Sequence, residues 1–130
     1  MATTTAAVTL TSDLLSDNMS VSASTTCMKA GTTADGLDMM EYGYVDIASG
    51  TAYDIIGNTP TASKASKLYV KNHSTDETYY ISVVLDAQAI GRLYGGDWMF
   101  IPWDGGSNND IEFTASDTTE TSLEYTCFYE

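Results

Sequence analysis

The chain has 130 residues, of which 18 are Asp or Glu and 5 are Lys or Arg, for a formal net charge of −13. That length holds one domain able to bury a core without metal or disulfide support, and the charge repels nucleic acid and anionic lipid, so neither is expected as a partner. A hydrophobic content of 43% with 11% aromatic residues exceeds what an acidic disordered tail carries, so the chain is expected to fold.

No basic residue precedes Lys29, and the N-terminus has no apolar core of signal-peptide length, so export by a cleaved leader is not expected and the chain is read as acting in a cytosol. No stretch approaches the roughly 20 apolar residues that span a bilayer. Residues 1–18 are rich in Thr and Ala, with one short alternation at Val8 and Leu10. They predict an extended N-terminal arm able to add a strand to a neighbour's sheet edge, with residues 19–130 as the single domain. Short strands are expected at Ala7–Thr11, Ser20–Ser24, Tyr42–Ile47 and Tyr53–Ile56, with a long loop over residues 30–40.

Further along, period-two alternation is plain. Leu68 and Val70 alternate with Lys67, Tyr69 and Lys71; Tyr79, Ile81, Val83 and Leu85 alternate with Tyr80, Ser82, Val84 and Asp86. Ile111, Phe113 and Ala115 alternate with Asp110, Glu112 and Thr114, and Leu123, Tyr125, Cys127 and Tyr129 with Ser122, Glu124, Thr126 and Phe128. No window of helix length carries an apolar stripe. The pattern predicts half-buried antiparallel strands. The fold class is therefore all-β, an antiparallel β-sandwich of about eight or nine strands, with a jelly roll among the topologies it allows. Gly95-Gly96 predicts a tight hairpin that pairs Ala89–Tyr94 with Asp97–Trp103.

The run Asp97-Trp-Met-Phe-Ile-Pro-Trp103 is apolar on both faces of a strand, with Trp98, Phe100 and Pro102 on one side and Met99, Ile101 and Trp103 on the other. It is expected to be buried on both sides, the second beneath a loop of the same chain or a neighbouring subunit. Trp98, Phe100 and Trp103 are thus candidate interface residues. Lys64, Lys67, Lys71 and Arg92 are four of the five basic residues, and Lys67, Tyr69 and Lys71 share an outward face. The three lysines are candidates for an ionic contact with acids of another subunit; the alternative is an edge strand whose lysines block unwanted pairing.

His73 lies in a polar segment and is expected to be solvated rather than to serve as a base beside a nucleophile. Eighteen scattered acids single out no carboxylate pair, so no catalytic residue is assigned. Asp104–Glu112 offers hard oxygen ligands without the EF-hand spacing, and reads as a polar loop; no metal and no cofactor is assigned. Cys27 and Cys127 match no metal-ligand spacing and are expected to stay reduced, Cys127 as a small core residue. Tyr79, Phe113 and Tyr125 are expected in the core, which leaves Tyr42, Tyr44 and Tyr94 as rings that a sugar can stack on if they are exposed.

The segments Lys67-Leu-Tyr-Val-Lys-Asn72, Tyr79-Tyr-Ile-Ser-Val-Val84, Ile90-Gly-Arg-Leu-Tyr-Gly-Gly-Asp-Trp-Met-Phe-Ile-Pro-Trp103 and Leu123-Glu-Tyr-Thr-Cys-Phe-Tyr-Glu130 resemble small all-β virion proteins of tailed double-stranded DNA phages, those of marine and cyanobacterial phages especially. The resemblance covers residues 64–130. It implies a non-enzymatic capsid decoration, or cement, protein on the capsid surface, or a minor head or tail component, assembled in the host cytoplasm. The expected partner is the major capsid protein or another virion protein, and the expected state is a small homo-oligomer, with a trimer as one form. The second expectation is a tail-associated or surface β-sandwich that grips a carbohydrate through exposed aromatic rings.

Overall fold

A computed structural model describes residues 3–14, 19–55, 66–103, 110–116 and 121–130. The described residues form ten strands: β1 (Thr4–Ser12), β2 (Met19–Cys27), β3 (Met39–Ile47), β4 (Ala52–Asp54), β5 (Ser66–Asn72), β6 (Tyr80–Leu85), β7 (Gln88–Tyr94), β8 (Trp98–Pro102), β9 (Ile111–Ala115) and β10 (Thr121–Tyr129). Of the four earlier strands expected from sequence, Ala7–Thr11, Ser20–Ser24 and Tyr42–Ile47 lie within β1 to β3, and Tyr53–Ile56 overlaps β4, which ends at Asp54; Ile56 is outside the described residues.

From β3 onward the pairing is nested. β3 pairs with β10, β4 with β9, β5 with β8 and β6 with β7, every pair antiparallel. The chain thus doubles back on itself as one long ribbon, and the ribbon folds over into two sheets of order β3-β10-β5-β8 and β4-β9-β6-β7. The result is an antiparallel β-sandwich. Burial follows the alternation read from the sequence, since the apolar residues of β5 and β9 are fully buried while the residues between them are half-buried. Leu68, Val70, Leu123, Tyr125 and Cys127 from one sheet meet Ile81, Val83, Ile111 and Phe113 from the other. Tyr79 is the exception to the expected core: it sits one residue before β6 and is 38% exposed.

The expected hairpin at Gly95-Gly96 does not form. β7 pairs with β6 in one sheet and β8 with β5 in the other, so the two glycines carry the chain from sheet to sheet. The corner is held by Asn72, which is fully buried at the end of β5. Its side chain donates to the Leu93 carbonyl at 2.9 Å, and its backbone carbonyl accepts from the Gly96 amide at 3.0 Å. Gly96 adopts φ +88°, and a side chain on Gly95 would press on the Ser74 and Asp76 carbonyls, so both positions need glycine for a corner rather than for a strand-pairing turn. The tight hairpin instead joins β6 to β7 through Asp86 and Ala87, at φ 45° and 59°.

The N-terminal region differs from the extended arm expected over residues 1–18. β1 pairs with β2 through all nine residues, from Thr4↔Cys27 to Ser12↔Met19, and this hairpin pairs with no other strand. β2, which begins at Met19, satisfies the backbone of β1 and pairs with no strand of the sandwich. At the base, Cys27 and Leu37 are buried and joined by a hydrogen bond from the Leu37 amide to the Cys27 carbonyl at 2.9 Å.

One close approach sets β3 against β10. Gly43 lies directly opposite Tyr125, and a methyl group there would overlap the tyrosine ring. Gly43→Ala is expected to cost about 1–3 kcal/mol by urea unfolding. In a Tyr125→Leu background the same substitution is expected to cost little, because the ring it collides with is gone.

Candidate functional site: the outer face of one sheet

The register of the β3-β10-β5-β8 sheet decides which outward side chains meet. Reading across the strands, Met40 lies beside Phe128, Lys67 and Pro102; Tyr42 beside Thr126, Tyr69 and Phe100; and Tyr44 beside Glu124, Lys71 and Trp98. This outer face is therefore a field of aromatic rings with two lysines and one glutamate at its centre. Tyr69 and Trp98 stand with ring centroids 6.4 Å apart. Tyr42 and Tyr44, which sequence left open as exposed candidates, are 57% and 55% exposed.

The run through Trp103 is buried on one side only. Met99 and Ile101 pack against the core and Trp103 is buried, whereas Trp98 is 48% exposed, Phe100 half-buried and Pro102 exposed. The reason is topological. β8 is an edge strand, and what lies over its outer side is β1, whose residues 4–8 close a groove of about 470 Å³ with Tyr69, Lys71, Trp98, Phe100 and Phe128. Of the six candidate interface residues, Trp98, Phe100, Lys67 and Lys71 share this face, Trp103 is in the core, and Lys64 lies outside the described residues.

Nor is β5 an edge strand. It lies between β10 and β8, so its lysines do not guard an open edge, and they emerge half-buried from the middle of the face. Lys71 sits directly opposite Glu124. Burial, and after it the Glu124 charge, push the Tyr69 hydroxyl above the ordinary phenol pKa.

His73 is more engaged than a solvated loop histidine. Its Nε2 contacts the Glu124 carboxylate, its ring lies 5.3 Å from that of Tyr44, and its backbone amide donates to the Ser122 carbonyl at 2.9 Å. With side chains 31% and 25% exposed, the His73–Glu124 pair is screened and contributes modestly to stability. The nearby Ser122 hydroxyl donates to Asp46 at 2.6 Å rather than to the imidazole, so the group holds side chains in place without activating an oxygen as a nucleophile.

A second aromatic cluster decorates the other sheet, where the Arg92 guanidinium lies 4.3 Å over the Tyr80 ring and Tyr80 packs 5.5 Å from Tyr94. A hydrogen bond with Tyr94, with the two phenols nearby, raises the Arg92 pKa further. Among the described residues no group of three or more His, Cys, Asp or Glu is placed to hold a metal ion. Most of the polar Asp104–Glu112 segment, residues 104–109, lies outside the described residues.

Sequence reasoning found the outward face of Lys67 and Lys71 and put Trp98 and Phe100 on one side of their strand, but expected both sides of that strand to be buried and missed Met40, Phe128 and Glu124 as neighbours. Only the pairing of β10 with β3 and β5 brings these together. No protein-family model matches the chain, and no curated protein matches it significantly.

Both cysteines are free and buried. Burial first, and the Glu41 charge second, push the Cys127 thiol up to about 12 from an ordinary value of 9.0. Below 9.0 the folded and unfolded chains both keep this proton; above it the unfolded chain releases the proton and the folded chain does not, so the contribution is lost as pH rises through that window. The urea midpoint is therefore expected to fall as pH rises from 9.0 toward 12, with a shallower fall in Cys127→Ala.

Proposed function

We propose that the chain is a non-enzymatic virion structural protein, a capsid decoration subunit that acts on the surface of a phage head as a small homo-oligomer. The observation that carries this reading is the amount of apolar surface left uncovered: Met40, Tyr42, Tyr44 and Trp98 on the sheet, and Leu10, Met19 and Val21 on the hairpin, are each roughly half or more exposed. Contiguous patches of this kind mark contact surfaces rather than the surface of a solitary domain. The nested pairing of β3 to β10 supports the jelly-roll form of the sandwich, an architecture found in viral shell proteins and lectins alike. That likeness fits more than one role and by itself selects none.

The task of such a subunit is mechanical. By binding assembled shell subunits and not separate ones, it stabilises the assembled state by mass action. The major capsid protein, or another virion protein, is the partner. The charge of −13 keeps the exposed surface soluble and away from free nucleic acid. Density-gradient fractions of the chain's natural source, quantified by mass spectrometry, are expected to place it in capsid-sized particles at a copy number comparable to that of the main shell protein. A few copies per particle would move it to a vertex or tail, and absence from particles would overturn the reading.

A second reading has its own observation. Tyr69, Trp98, Phe100 and Phe128 line one groove beside Lys71, and exposed rings with a nearby polar group suit the apolar face of a sugar. As a surface or tail-associated carbohydrate-binding module, the chain is expected to bind a glycan in an array, and Trp98→Ala to abolish binding with no loss of fold. A folded protein that binds nothing on the array would exclude this reading.

A further inference from the structure

The hairpin and the outer sheet face each extend past the contact they share within one chain. In the hairpin register, Ala6, Val8, Leu10 and Ser12 stand opposite Thr25, Ala23, Val21 and Met19, which makes one apolar face, while the other face is mostly Thr and Ser. On β1 the half-buried members of the apolar face near the sheet are Thr4, Ala6 and Val8. Toward the tip, Leu10 is 53%, Val21 49% and Met19 48% exposed. The sheet shows the same division: the side toward β8 shares a groove with residues 4–8 of β1, whereas the side toward β3 leaves Met40 63%, Tyr42 57% and Tyr44 55% exposed. A two-stranded ribbon is marginal by itself in water, and no described residue of the sandwich covers the apolar side chains toward the tip, so an apolar partner there would stabilise it.

We propose that this partner is a second copy of the chain: the tip half of one hairpin, through Leu10, Met19 and Val21, seats on Met40, Tyr42 and Tyr44 of a neighbouring copy. The inference rests on the self-association contained in the reading above and names its surfaces. Three observations favour a second copy. The arrangement continues one already present within the chain, where residues 4–8 at the base of the hairpin and the same sheet face line one groove. The two surfaces also suit each other in charge: copies of −13 repel, yet only Asp13 and Asp17 of the 18 acids precede residue 30, so the hairpin approaches with little charge. Finally, each copy carries both halves, so the contact is satisfied reciprocally in a dimer or head to tail in a closed ring. A sugar stacking on the tyrosines would leave Leu10, Met19 and Val21 in water.

Sedimentation velocity on the full chain over a range of concentrations tests the proposal. The expected result is a concentration-dependent oligomer whose dissociation constant rises at least about tenfold in Leu10→Ser/Val21→Ser and equally in Tyr42→Ser/Tyr44→Ser. Added salt is expected to tighten association, because it screens repulsion between acidic copies and leaves an apolar contact intact. A monomer at every concentration would overturn the proposal. So would an oligomer that either double variant leaves intact, or one that salt weakens, which would point to an ionic contact through Lys67 and Lys71.

Independently of variant folding, a photocrosslinker at position 10 of unlabelled chains refolded with ¹⁵N-labelled chains is expected to mark labelled residues 39–47. Adducts confined to its own chain or to other regions would refute the contact. Particle association separates this inference from the function: a monomer found on particles removes the contact and leaves the virion role, and an oligomer absent from particles does the reverse.

Discussion

β10 is hydrogen-bonded on both sides, to β3 across nine residue pairs and to β5 across seven, so two of the three ladders of its sheet depend on one segment. Its inward residues Leu123, Tyr125 and Cys127 belong to the core, and its outward residues Glu124, Thr126 and Phe128 form the middle column of the exposed face. A one-residue slip of β10 would turn each set to the opposite side. Such a slip would bury Glu124 and expose Leu123. The packing of Tyr125 over Gly43 opposes it, since at a neighbouring register the ring would meet a residue with a side chain. The core and the candidate contact face are thus set by the same pairing.

How much of this was legible in the sequence depended on distance along the chain. Alternation at Leu68 and Val70, at Ile111, Phe113 and Ala115, and at Leu123, Tyr125 and Cys127 is a local signal, and each set is buried as read. Turn chemistry was less reliable. Gly95-Gly96 carries the residues a hairpin favours, but here the freedom of glycine serves a corner gripped by Asn72, while the hairpin uses Asp86 and Ala87, of which only the aspartate is a usual turn residue. The exposed face was half legible: Trp98 and Lys71 advertise themselves within single strands, whereas their alignment with Glu124 and Tyr44 exists only once strands far apart in sequence are paired. That pairing is non-local, and no short-range pattern encodes it.

The attachment of the hairpin also follows from a few local contacts. Cys27 and Leu37 are buried together, the Thr4 hydroxyl donates to the Leu37 carbonyl at 3.3 Å, Lys29 bridges to Asp38 at 2.7 Å, and the Ala30 amide donates to the Glu130 carboxylate at 2.8 Å. The base is therefore pinned near the end of β10, while among the described residues the strands toward the tip pair only with each other. Rigidity at one end and exposure at the other give the hairpin a defined direction without requiring it to be part of the sandwich.

The position of β10 in the chain also governs how the protein comes into being. Every other described strand leaves the ribosome before it, yet its slot lies between β3 and β5, so the sheet stays open along those two strands until residues 121–129 have emerged. Closure of the sandwich waits on β10 and is dominated by contacts between distant segments, a class of topology that folds slowly. During that interval Met39–Ile47 and one edge of Ser66–Asn72 lack their partner, and the net negative charge, which keeps neighbouring chains on a polysome apart, protects them until β10 slides into place.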